Sequence, residues 1–134
     1  MYSFSQKVLF RHCDPAGIVF YPRYFEMIND VVEDFFETVL NYSFGELLAT
    51  NGIPTAQISA SFSKPSRLSD LLTIQVVVTE VGRSSMKLSF EALCENELRF
   101  SANSVLVYID KCGKSTPWPN SIKQNLQAQI QGDK

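Results

Sequence analysis

The chain has 134 residues, 45% hydrophobic and 19% charged, with a net charge of -2 at pH 7. That suits one domain, 1–134, able to bury roughly two-thirds of the surface its unfolded form exposes. The charge balance excludes a general attraction for nucleic acid, and no apolar stretch is long enough to span a bilayer. The opening MYSFSQKVLFRHC has no signal-peptide core and passes straight into a strand-like pattern. Cys13, Cys94 and Cys112 are widely spaced and form neither a zinc pattern nor a disulfide framework. A single histidine, His12, excludes a multi-histidine metal site. A cytoplasmic protein with reduced thiols and no cofactor is expected.

Residues 2–11 read as a first strand, with Val8 and Phe10 alternating against Lys7 and Arg11. A loop follows over 12–21. Residues 22–41 read as a long helix. Phe25, Ile28, Val32, Phe35 and Val39 keep a three-four spacing, and Glu26, Asp30, Glu33 and Glu37 fill the opposite stripe. Met27, Val31, Phe36 and Leu40 widen the apolar side, so the helix should be wrapped rather than laid on a surface. Asn51-Gly52 marks a turn. Ala56, Ile58, Ala60 and Phe62 then alternate with Gln57, Ser59 and Ser61 as a strand with one polar face. Pro65 interrupts it, as at an edge or bulge. Leu72, Ile74, Val76 and Val78 mark the next strand, and 81–84 a short turn. Met86 to Cys94 gives another inner face, Glu95-Asn96-Glu97 a tight turn, and Phe100 to Tyr108 the last strand. Residues 111–119 are turn-rich, and 120–130 suit a short terminal helix. One apolar helix and one curved antiparallel sheet make an α+β arrangement. The open edge favours pairing with a second copy, as a homodimer or homotetramer.

The segment from Asp14 to Tyr24, Asp-Pro-Ala-Gly-Ile-Val-Phe-Tyr-Pro-Arg-Tyr, carries the chemistry. Asp14 sits in a turn, Gly17 follows, and Pro22 suits a first helical turn, where its missing N–H costs nothing. The layout sets an acid beside the donor-rich start of a helix. A carboxylate and an oxyanion-type donor are two parts that an acyl-transfer hydrolase needs.

With Cys13 ahead of it, this motif, the long helix and the later strands resemble the hotdog-fold acyl-CoA thioesterases. Within them the chain is most similar to the 4-hydroxybenzoyl-CoA thioesterase group, from Phe4 to about Leu126. Residues 65–70 and Gly82-Arg83-Ser84-Ser85 add to the resemblance. It implies Asp14 as the catalytic carboxylate and the Tyr21 backbone N–H as the donor to the thioester carbonyl. It implies close approach of substrate at Gly17. The site would lie between two subunits, with the strand around Ser59 and Phe62 of one facing the helix of the other. Arg83, Ser84 and Ser85 match a region that contacts the pantetheine and phosphate of coenzyme A. Asn29 stands where the hydroxybenzoyl enzyme has an acid that holds the acyl phenol. Pro22 stands where some relatives have a histidine.

Plainer roles exist for each residue. Asp before Pro is a common turn former, and Tyr21 and Tyr24 suit a helix start as amphipathic aromatics. His12 reads as a hydrogen-bonded structural residue and Cys13 as a small buried hydrophobe. Arg83 and Lys87 read as a solvated turn and strand face. Acyl-CoA hydrolysis is the expected function. Its rivals are an acyl-carrier-protein thioesterase and a non-catalytic acyl-binding module.

Overall fold

A computed structural model describes residues 1–132. The elements in order are β1 (Tyr2–Lys7), a 3-10 turn (Phe10–His12), α1 (Pro22–Thr38), α2 (Phe44–Thr50), β2 (Thr55–Phe62), β3 (Leu71–Val81), β4 (Ser85–Cys94), β5 (Glu97–Val107) and α3 (Asn120–Gly132). The strands form one antiparallel sheet in the order β1-β3-β4-β5-β2. One inward row crosses the whole sheet. Phe4 pairs with Ile74, Ile74 with Ala92, Ala92 with Phe100, and Phe100 with Phe62. This row forms because side chains alternate faces at every residue of a strand.

The helix lies across that inner face. Tyr24, Met27, Ile28, Val31, Val32, Phe35 and Phe36 are buried along it. Ring contacts fix both ends: Phe35 packs on Tyr2 of β1 at 5.8 Å, and Tyr24 on Phe100 of β5 at 4.7 Å. The Tyr2 hydroxyl also donates to the Asp34 carboxylate. Burial of this width is worth roughly 1.5–3 kcal/mol per large apolar side chain, more than the helix gains from propensity alone. The wrapped helix expected from the sequence is therefore present.

Four local differences have physical causes. The first strand stops at Lys7, because residues 10–12 tighten into the 3-10 turn that aims the chain towards α1. The helix stops at Thr38 and not at 41. Its last turn loosens into bonds from Leu40 N–H to Phe35 O (3.3 Å) and Tyr42 N–H to Phe36 O (2.9 Å). Asn41 then takes φ +53, a left-handed angle that Asn tolerates. A second helix, α2, was not apparent in the sequence; Ser43 caps it by accepting from Glu46 N–H. The apolar row of β2 is exposed: Ile58 is 39% and Phe62 46% accessible. In a single chain that edge strand has a partner only on its β5 side.

Phe36 has no exposure, and its ring meets Phe44 of α2 and Trp118 before α3. Phe36→Ala should lower unfolding stability by about 3–5 kcal/mol, read from the denaturant midpoint. A loss under 1 kcal/mol would show that α2 and α3 do not depend on α1 for their packing.

Candidate active site

The loop between β1 and α1 is held by its own backbone and by residues 66–70. Asp14 N–H donates to Ile18 O (2.9 Å), and Gly17 N–H to Asp14 O (3.0 Å). Gly17 has φ +80, and a Cβ there would meet nothing within 4 Å. The backbone angle, not crowding, is what demands glycine. Val19 N–H donates to Ser66 O at 2.9 Å and Leu68 N–H to Gly17 O at 3.2 Å, so the two loops form one unit.

Asp14 is partly exposed, and its Oδ1 accepts from Ala16 N–H at 2.9 Å. That bond orients the carboxylate and leaves its other oxygen available. Tyr21 caps α1 with helical angles, and Phe20 N–H donates back to His12 O at 3.0 Å. Among the described residues, the Tyr21 N–H makes no hydrogen bond. A free N–H at the start of a helix carries partial positive charge.

Beside Tyr21 lies an open hollow of about 470 Å³, walled by Ile18, Val19, Tyr21, Tyr24, Phe62 and Lys64 among others. The Phe62 ring meets those of Tyr21 (5.9 Å) and Tyr24 (5.6 Å). Tyr21 and Phe62 thus wall one hollow, and Asp14 and Gly17 lie on the loop that supplies Ile18 and Val19 to it, at the same end of the sheet. Ser59 is not with them. It pairs with Asn103 and lines a groove with Lys87 on the outer face of the sheet. Arg83, Ser84 and Ser85 lie at the far end. The turn begins where β3 ends, at Val81, ten residues beyond Leu71, a distance of about 33 Å along a strand. Arg83 O and Ser85 O accept from the Trp118 backbone N–H and indole N–H at 3.1 and 3.0 Å. The Arg83 side chain is left exposed. Asn29 lies on α1 at the rim of two hollows, one apolar and one lined by Arg11, Arg23 and Asp30.

Sequence reasoning missed a clamp under the loop. Arg99 of β5, with its side chain only 12% exposed, pairs with Asp70 at 2.7 Å and donates to Pro65 O at 3.2 Å. Its Nε is also 2.8 Å from Glu97 Oε1, but poorly aligned, so that contact is one of charge rather than a hydrogen bond. The Asp70 carboxylate also accepts from Arg67 N–H at 2.9 Å. The partners are far apart in sequence, and only the sheet order joins them. His12 is buried, and its Nδ1 accepts from Leu9 N–H at 2.9 Å, so its ring is a structural strut rather than a free base.

A model of the thioesterase-like superfamily matches residues 8–126. The chain belongs to that superfamily. It is 30% identical over 84 residues to a 4-hydroxybenzoyl-CoA thioesterase of Pseudomonas sp. (strain CBS-3), a match spanning 60% of each chain. Solved structures share the architecture. A gentisyl-coenzyme A thioesterase superposes with a TM-score of 0.86 at 24% identity, covering 93% of this chain and 99% of that one. A 1,4-dihydroxy-2-naphthoyl-CoA thioesterase from Synechocystis gives 0.84 at 19% identity, covering 96% and 94%. The fold of this superfamily member is the hotdog fold. No described helix is long and apolar enough to cross a membrane.

Two groups under the site make its stability depend on pH. Burial, followed by the charge of Arg11, lowers the His12 pKa below the ordinary 6.5. The unfolded chain then takes up the proton first, so stability falls as pH drops below about 6.5. The Arg67 N–H, followed by Arg99, holds the Asp70 carboxyl below 3.8. Its contribution is present above 3.8 and is lost as pH falls through its native value. Chemical denaturation from pH 7.5 to 3 should show two separate losses. His12→Asn should remove the upper one and Asp70→Asn the lower. A flat profile between pH 7.5 and 5 would contradict the role given to His12.

Proposed function

We propose that this protein hydrolyses an acyl-CoA thioester to a free acid and coenzyme A. The observation that carries the reading is a carboxylate with one oxygen held and one available, on a pinned loop that ends at the unpaired Tyr21 N–H. The Tyr21 N–H and the α1 dipole polarise the carbonyl and stabilise the tetrahedral oxyanion. A donor of this kind is worth about 3–4 kcal/mol of barrier. Asp14 acts in one of two ways. It attacks the carbonyl carbon, expels the thiolate and leaves an anhydride that water cleaves. Alternatively it takes a proton from water, which attacks directly. Both routes consume one water and release acid and thiol. The family match and the thioesterase names of its relatives support this activity.

The site requires a second copy if Arg83 is to take part. Within one chain the Arg83 turn and Asp14 lie at opposite ends of the sheet. β2 runs antiparallel to β5, which puts Phe62 at the Asp14 end and Thr55 at the Arg83 end. Two β2 edges paired antiparallel about a two-fold axis set one copy's Asp14 end beside the other's Arg83 end. The exposed Ile58 and Phe62 on that edge support a homodimer built this way.

Asp14→Asn keeps the size and the turn but removes the charge. Hydrolysis should fall by at least about 10²-fold with an unchanged melting temperature. Retention of the parental rate in folded protein would sink the mechanism. Arg83→Ala should raise KM for acyl-CoA more than it lowers kcat. An unchanged KM would point to a carrier-protein substrate instead. Mixing Asp14→Asn with Arg83→Ala, with subunit exchange, should restore turnover at the parental KM, because each mixed dimer regains one intact site. No recovery among verified mixed dimers would remove Arg83 from the partner's site.

A further inference from the structure

A second hollow lies beneath the middle of α1, and we infer that it is the acyl compartment, taking an uncharged acyl group of medium length. The inference rests on the thioesterase reading above. The hollow has about 260 Å³ and lies between α1, α2 and the β2–β5 edge. Phe25, Ile28 and Val32 form its ceiling, Ile58 and Leu106 its floor, and Phe44 of α2 closes one side. Its polar contributions come from Asn29, Thr55 and Ser104, and no charged side chain lines it.

Its position follows from helix geometry. Phe25 is one turn beyond Tyr21, and Val32 is about 16 Å beyond it along the axis. The hollow therefore extends away from the carbonyl site along one stripe of α1. Phe62 stands at the partition. Its ring walls the hollow beside Tyr21 and meets Phe25, which walls the compartment, at 6.3 Å.

Size and lining set the class. An apolar cavity of about 150 Å³ holds a benzene ring, so this one suits roughly eight to ten carbons as a chain or as a ring with a short tail. A sixteen-carbon chain exceeds it. A carboxylated acyl group would bury an unpaired charge there, which is strongly unfavourable. The neutral amide and hydroxyls tolerate an uncharged oxygen on the acyl group. The larger hollow of about 640 Å³ outside α1 does not compete. Arg11, Arg23, Glu26 and Asp30 line it, with Arg23 and Glu26 paired at 3.0 Å.

The test uses the full-length protein, Ile58→Trp, which fills the compartment from the exposed edge strand, and Ser104→Leu, which fills it from below. Hydrolysis is measured on acetyl-, octanoyl-, palmitoyl- and succinyl-CoA. Binding is measured by calorimetry with S-methyl-CoA and S-octyl-CoA, thioethers that cannot be cleaved. The parent should prefer octanoyl-CoA to the other three by at least tenfold in kcat/KM, and S-octyl-CoA should bind at least tenfold more tightly than S-methyl-CoA. Either variant should abolish both preferences, with kcat/KM for octanoyl-CoA falling at least tenfold, to no more than that for acetyl-CoA. Thioether discrimination without any hydrolysis would keep the compartment and defeat the thioesterase reading. Hydrolysis with no chain-length preference would overturn the compartment and keep that reading. A compartment occupied by a neighbouring copy would also overturn it, shown by Ile58→Trp shifting the oligomeric state with no thioether discrimination in the parent.

Discussion

The burial of α1 is the constraint on which the rest depends. Its apolar residues occupy more than a single stripe, so a flat surface could not cover them. The sheet answers by curving, with small Ala92 and Ala102 opposite the helix and bulky Phe4, Ile74, Phe90 and Phe100 around them. Close packing of this kind fixes the position of the helix to a fraction of a side chain. The start of α1 is therefore placed as rigidly as the core itself. A donor at that start costs no reorganisation when charge develops on a bound carbonyl.

The loop ahead of α1 inherits this rigidity from two directions. Its downstream end is continuous with the helix. Its middle is tied to residues 66–70 by backbone bonds, and those residues are tied to β5 by Arg99. The ion pair is partly covered, with Asp70 27% and Arg99 12% exposed, so water screens it less than a surface pair. Removing Arg99 would act on Asp14 through three successive contacts without touching the substrate. Precision at a site on a loop needs such support, because loops lack the packing that fixes helices and strands.

Much of this was legible in the residues. The period-2 rows from Leu72 to Val78 and from Met86 to Cys94 became the buried faces of β3 and β4. The Glu95-Asn96 turn is a two-residue hairpin with both residues at positive φ, which its placement between two strands required. Asp14, Gly17 and Pro22 stood together in sequence, so their grouping needed no long-range information. What was hidden depended on contacts across the sheet. The Arg99–Asp70 pair joins residues 29 apart. The compartment under α1 draws on four elements, and α2, which closes it, is too short to show a periodic signal. Nor could periodicity reveal that the Arg83 turn and Asp14 lie at opposite ends of one chain.

The edge strand β2 carries several duties at once, and this limits how each can vary. Phe62 walls the hollow beside Tyr21, Ile58 floors the compartment, and the unpaired edge is the surface on which a second copy would add. All three follow from one fact: β2 follows α2 and joins the sheet beside β5, leaving its other side open. On the proposed assembly, pairing of that edge stiffens the wall of both hollows. Chain-length selectivity and dimer formation are then coupled through the same eight residues. Ser59 and Ser61 are the exception. They alternate to the outer face, away from Phe62 and Ile58, so changes there reach the seam without reshaping the cavity. Alternation along the strand thus leaves Ser59 and Ser61 outside the coupling that ties Ile58 and Phe62 to both assembly and substrate fit.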